Sequence, residues 1–210
     1  MKDRQYMTLI KQSETYLKSY GDSYKGIGRF KEEQALRSYQ TMLELIQPKP
    51  EQETSVLDFG CGLSHFYAYI KESGLENIQY SGLDISEEFL AVSRQKYPDN
   101  HYYQVDLLEE DSSLPQFDYI IMNGIFTQKC DLSYEAMWEY FTTLLPRVFE
   151  HARIALAFNV HSKIVDWERE DLFHVPFDPL AKFLSDHLSR HFAIRHDYRL
   201  YEYTVYLFQE

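Results

Sequence analysis

The residues best placed for chemistry are Val56-Leu57-Asp58-Phe59-Gly60-Cys61-Gly62, an apolar run with one acid that meets two closely spaced glycines. A buried strand running into such a turn exposes backbone N–H groups and lets a ligand approach the main chain. A helix starting just beyond adds its positive end. One unit further on, a second strand stops in an acid, Gly82-Leu83-Asp84-Ile85. A carboxylate there can accept two hydrogen bonds from a ribose diol. A third strand is followed by Asp106-Leu107 over the same crevice, where a side chain can meet an adenine amino group. The expected ligand therefore carries a ribose and an adenine.

Elements must hold these residues in place. Residues 3–19 and 30–47 read as helices, the second ended by Pro48 and Pro50. Strands are expected at 55–59, 78–83, 102–105, 117–122 and 154–158, with helices at 64–73, 87–96 and 133–151 between them. Strand alternating with helix predicts a doubly wound, mostly parallel α/β sheet. Residues 159–177 read as irregular. A helix is expected over 179–191, with Asp178 as N-cap and Pro179 in the first position. The tail predicts a hairpin turning near Arg199-Leu200. Residues 1–210 read as a single domain, with an N-terminal helical cap over 1–50 and the α/β core over 51–210.

Composition sets bounds. The 210 residues carry 21 basic and 33 acidic side chains, a formal charge of −12. That balance argues against a nucleic-acid or anionic-membrane surface. No run of about 18 apolar residues predicts a spanning helix. The start shows no signal-peptide core, and two cysteines make no disulfide framework, so a cytoplasmic setting is expected.

The glycine turn alone fits several nucleotide folds. The dinucleotide fingerprint wants a third glycine where this chain has His65, which lowers the case for NAD. LDFGCG instead resembles motif I of class I S-adenosylmethionine-dependent methyltransferases. The likeness continues in order through Asp84, Asp106-Leu107 and Phe117-Asp118-Tyr119-Ile120-Ile121-Met122-Asn123-Gly124. The resemblance implies a seven-stranded sheet with an antiparallel last strand, an N-terminal helical addition and S-adenosylmethionine as cofactor. It places Phe59, Gly60, Cys61 and Gly62 under the methionine and ribose, with Asp58 organising the turn or meeting the amino group. Asp84 and Ile85 fall at the ribose, Asp106 and Leu107 at the adenine, and Asn123, Gly124 and Ile125 beside the sulfonium. It also makes Tyr24 and Arg37 candidates to close over the cofactor, with Arg37 pairing the carboxylate.

Methyl transfer from a sulfonium is an in-line displacement that needs mostly alignment. The acceptor is expected over the loops after Met122 and Phe158, near Asn123, Phe126, Asn159, His161 and Trp167, with Tyr20 and Tyr24 as a lid. Asn123 and His161 are the catalytic candidates, His161 as base. Asn123-Gly124-Ile125-Phe126 lacks the two prolines common in enzymes that methylate exocyclic amines of nucleobases or glutamine amides. A small-molecule oxygen or nitrogen acceptor is the expectation. The rivals are a silent nucleoside-binding module of the same fold and an NAD-dependent oxidoreductase. No metal is expected; His187 and His191 stand at helical ligand spacing without a third partner.

Overall fold

The computed structural model describes residues 4–46, 52–110 and 112–209. In chain order come α1 (Met7–Tyr20), a 3-10 turn (Lys25–Ile27), α2 (Glu32–Glu44), β1 (Thr54–Phe59), α3 (His65–Glu72), β2 (Ile78–Leu83), α4 (Glu87–Lys96) and β3 (His101–Tyr103). Then follow β4 (Phe117–Phe126), α5 (Tyr134–Phe149), β5 (Ala152–Ser162), β6 (His174–Val175), α6 (Phe177–His187), β7 (Phe192–Arg195) and β8 (Glu202–Phe208). The sheet order is β3-β2-β1-β4-β5-β8-β7, with the two-residue β6 added on the end of β5. The first five strands are parallel; β8 runs antiparallel to β5, and β7 is its hairpin partner. This is the expected doubly wound sheet with a C-terminal antiparallel hairpin.

The chain builds outward through β1, β2 and β3, then returns to place β4 on the other side of β1. That reversal opens a crevice above the carboxyl ends of β1 and β4, where such sheets bind ligands. Strand alternation fills both faces. Leu57, Ile120 and Met122 join Phe141, Leu144 and Leu145 of α5 on one side. Val56, Ile121, Ala155 and Ala157 join Tyr39, Met42 and Leu43 of α2 and Phe66 and Ile70 of α3 on the other. So α2 is packed into the core as firmly as α3. The boundary expected near residue 50, with Pro48 and Pro50, lies outside the described residues.

Three elements depart most from their expected extents. β4 continues past Met122 to Phe126 through a register shift, with Gly124 at φ +95°. β5 continues to Ser162, because β8 pairs with it as far as His161 opposite Glu202. Both strands therefore carry as extended chain residues that read as loops. α6 starts at Phe177, so Pro179 sits inside the first turn, where its missing N–H is no loss. It stops at His187, where the Leu188 and Ser189 amides turn back to Leu184 O at 2.9 and 3.0 Å. His191 is thus off the helix, and the ligand spacing with His187 does not form.

Candidate active site

The glycine turn is held by β2. The amides of Gly60 and Cys61 both donate to Leu83 O, at 2.7 and 2.9 Å. Gly60 has φ +74°, and a Cβ there would stand 2.0 Å from Ile125 Cδ1. Only glycine keeps that space open toward β4. The Gly62 amide donates to Asp84 Oδ2 at 3.0 Å, and the Ser86 amide to Asp84 Oδ1 at 3.0 Å. Asp84 is buried, and burial raises its pKa to about 6 despite these donors. Asp58 lies deeper; Tyr80 donates to its Oδ2 at 2.8 Å, and burial lifts its pKa to about 7. Burial also pushes the Cys61 thiol up, so it is no nucleophile.

Asp58, Phe59, Gly60, Cys61, Gly62, Asp84, Ile85, Asn123, Gly124 and Ile125 line one crevice. Sequence reading gathered all ten. Two candidates that follow the third strand do not open on it. Asp106 accepts from Tyr6 Oη at 2.6 Å and from the Leu108 amide at 2.9 Å, and Leu107 is buried in the core. The Tyr6 ring stacks on Tyr140 with centroids 5.2 Å apart, so the N-terminal segment occupies the ground in front of Asp106. Leu9, Ile10, Ser13 and Tyr16 of α1 form that wall of the crevice.

Tyr24 and Arg37 also lie elsewhere. Tyr24 packs on His65 at 5.1 Å beside a separate hollow, and Arg37 Nη2 donates to Glu33 Oε1 at 2.7 Å on the outer face of α2. The 3-10 turn is the reason: it swings Ile27, Gly28 and Arg29 over the crevice instead. Arg29 is the cation that sequence reading missed. Its Nη2 donates to Asn123 Oδ1 at 2.9 Å, and its Nη1 stands 3.5 Å from Glu202 Oε2. Ser38 Oγ and Asn159 Nδ2 also donate to Asn123 Oδ1, at 2.9 and 3.2 Å, and Asn159 Oδ1 accepts from the Gly124 amide at 2.8 Å. With its oxygen so engaged, Asn123 keeps a buried Nδ2 without a partner.

Arg29, Tyr16, Gly28, Thr127 and Gln128 also line a second cavity, together with His161, Trp167, Tyr201 and Glu202. Phe126 is not part of it: its ring is buried against Tyr140, Phe141 and Phe158. Asn159 is buried beneath Asn123, and neither Tyr20 nor Tyr24 lines either space. Burial drives the His161 pKa down to about 4, only partly countered by Glu202.

Residues 57–145 match the methyltransferase domain family. That stretch holds the glycine turn, Asp84, Asp106 and Asn123. The chain is 26% identical over 156 residues to "Putative methyltransferase Rv1506c" of Mycobacterium tuberculosis, covering 72% of this chain and 90% of that one. It is 32% identical over 91 residues to a malonyl-[acyl-carrier protein] O-methyltransferase of Enterobacter lignolyticus, covering 43% of this chain and 35% of the relative. Among solved structures, magnesium protoporphyrin IX methyltransferase of Synechocystis with bound SAM superposes with a TM-score of 0.66 at 15% identity, over 98% of this chain and 97% of that one. The 1,6-didemethyltoxoflavin N1-methyltransferase of Burkholderia thailandensis gives 0.64 at 18%, over 99% and 91%. At these identities the structures speak for the fold.

Proposed function

We propose that the protein binds S-adenosylmethionine in the glycine crevice and transfers its methyl group to an oxygen or nitrogen of a small molecule in the second cavity. The observation that carries this reading is the junction at Arg29. Its guanidinium borders both spaces, with Tyr16, Gly28, Thr127 and Gln128 beside it, so two ligands would meet across one shared wall. The donor set of the crevice fits the cofactor. A Cβ at Gly60 would fill the cradle, Asp84 presents a buried carboxyl, and Asn123 Nδ2 lacks a partner.

The bound cofactor would supply a methyl group activated by a sulfonium. Gly60, Cys61 and Gly62 would lie under the methionine and ribose, Asp84 with Ile85 would hold the ribose, and Asp58 would sit below the cationic end. Arg29 takes the carboxylate-pairing role for which Arg37 is misplaced. Asp106 and Leu107 reach the adenine only if Tyr6 gives way. Asn123, Gly124 and Ile125 border the transferred group. Alignment supplies the rate. His161 stays uncharged at neutral pH, the form a base needs, and with a pKa near 4 it serves an acceptor that becomes strongly acidic on methylation.

Supporting features of the setting are two free cysteines and the −12 charge, which agree with a cytoplasmic enzyme that handles neither nucleic acid nor membranes. No helix among the described residues is long and apolar enough to cross a membrane. The deciding experiment is labelled-methyl transfer to a fractionated metabolite pool, beside calorimetry with S-adenosylhomocysteine and NAD. Binding of S-adenosylhomocysteine with methyl transfer is expected; binding without transfer would leave a silent nucleoside module, and binding of NAD alone an oxidoreductase.

A further inference from the structure

The second cavity, of about 460 Å³, is built unlike a general solvent pocket. Its mouth carries three aromatic side chains in solvent: Phe30 is 56% exposed, Trp167 75% and Tyr201 68%. Ring faces left in water at one opening suit a flat ligand. The polar groups that line it are unevenly used. His161 and Glu202 stand directly opposite each other on β5 and β8. Glu202 is only 3% exposed, and its Oε1 has no hydrogen-bond partner, while Oε2 faces Arg29 at 3.5 Å. His161 Nδ1 is likewise buried and unpartnered. The neighbouring His174 makes a useful contrast. Its Nδ1 meets Ser162 O at 2.7 Å, and its Nε2 accepts from the Arg169 amide at 3.2 Å, so it has nothing left to offer.

An unpaired buried oxygen costs about 1–3 kcal/mol, which a donor on a ligand would recover. Of the cations nearby, the two arginines are engaged by carboxylates within the protein. Arg29 is held by Asn123 and Glu202 and, in the proposed reading, faces the cofactor carboxylate, while Arg169 Nε donates to Asp171 Oδ1 at 3.0 Å. Lys31 stands on the exposed rim. An anionic ligand would find its charge opposed by Glu202, whereas a ligand with an N–H or O–H would satisfy Oε1.

We propose that this cavity selects a planar, ring-bearing acceptor that donates a hydrogen bond to Glu202 Oε1, and that it excludes acidic acceptors. The inference rests on the methyltransferase reading in making this ligand the acceptor. The ring lies against Trp167 and Tyr201, with the donor edge turned toward Glu202 and His161. Glu202 is a specificity residue that sequence reading did not single out.

Three bicyclic probes of one shape test it: 2-aminoquinoline, 2-methylquinoline and quinoline-2-carboxylate. Their dissociation constants are measured by ligand-observed NMR on the full chain, with and without 1 mM (on the order of saturating) S-adenosylhomocysteine. The amino compound is expected to bind about tenfold tighter than the other two. Glu202→Gln is expected to narrow that preference to about threefold or less. Equal binding of all three by the native chain, best binding of the carboxylate, no binding of any, or an undiminished preference in Glu202→Gln would each overturn the proposal. The probe series on the native chain decides the matter even where Glu202→Gln does not fold. Failure of S-adenosylhomocysteine to bind, with the probe preference intact, would strike the methyltransferase reading and not this one.

Discussion

The two spaces that meet at Arg29 are made by different means. The glycine crevice takes its floor from short consecutive runs at the ends of β1, β2 and β4, fixed by backbone geometry and by acids that hold backbone amides. The second cavity draws Phe30, His161, Trp167 and Glu202 from separate stretches of chain, and it leaves His161 Nδ1 and Glu202 Oε1 without partners. A crevice held by the main chain suits a ligand common to many proteins. A cavity assembled from distant side chains can change while the sheet stays the same.

The largest expected effect lies in the crevice. Asp84→Ala removes the acceptor for a ribose diol and the partner of the Gly62 amide. At about 1.5 kcal/mol or more for each hydrogen bond to a charged group, S-adenosylhomocysteine should bind about 100-fold more weakly by calorimetry. The quinoline probes should bind as before; an equal loss in both spaces would break the division between them. Gly60→Ala comes next. Its φ of +74° and the 2.0 Å approach to Ile125 Cδ1 should cost about 1–2 kcal/mol of stability and lower cofactor affinity about tenfold, read from thermal melts with and without ligand.

A pH series sharpens the comparison further. Asp58 and Asp84 have pKa values raised by burial to about 7 and about 6. The folded chain therefore holds protons that the unfolded chain releases near pH 4. Their contribution to stability is present at low pH and lost as pH rises from about 4 to about 7. The ligand-free chain should accordingly melt higher near pH 5 than near pH 8, as far as these two groups decide it. Cofactor binding should run the other way, since a cationic ligand favours the ionised form, weakening by about tenfold or less from pH 8 to pH 6. Flat affinity across that range would remove Asp58 from the cationic end. Tyr6→Phe should have the smallest effect. Freeing Asp106 from Tyr6 Oη should tighten S-adenosylhomocysteine by about threefold if adenine competes for that carboxyl, and a weaker complex would show that the Tyr6 contact belongs to the closed site.

Much of the crevice was legible because its signals are local. A short apolar strand, two glycines and an acid at the next strand end occupy short windows, and the sheet must bring those ends together. The lid was not legible. Tyr24 and Arg37 are reasonable by type, but the φ of +72° at Gly28 and the 3-10 turn before it decide which neighbour faces inward. A glycine four residues ahead of a helix, beside an arginine, was the available signal for Arg29. Tyr6 lies 100 residues from Asp106, and no local pattern joins them. The His187–His191 spacing failed for a similar reason, because α6 turned back on itself at Leu184 before reaching His191.

By itself the sequence determined the order of strands and helices, the glycine cradle and the acids that face it, since hydrophobic period and turn chemistry act over a few residues. Tertiary structure alone decided which guanidinium reaches the crevice, that Tyr6 engages Asp106, and that Glu202 stands opposite His161 with an oxygen unpaired. Those outcomes depend on register and helix ends, where a shift of one residue turns a side chain to the other face.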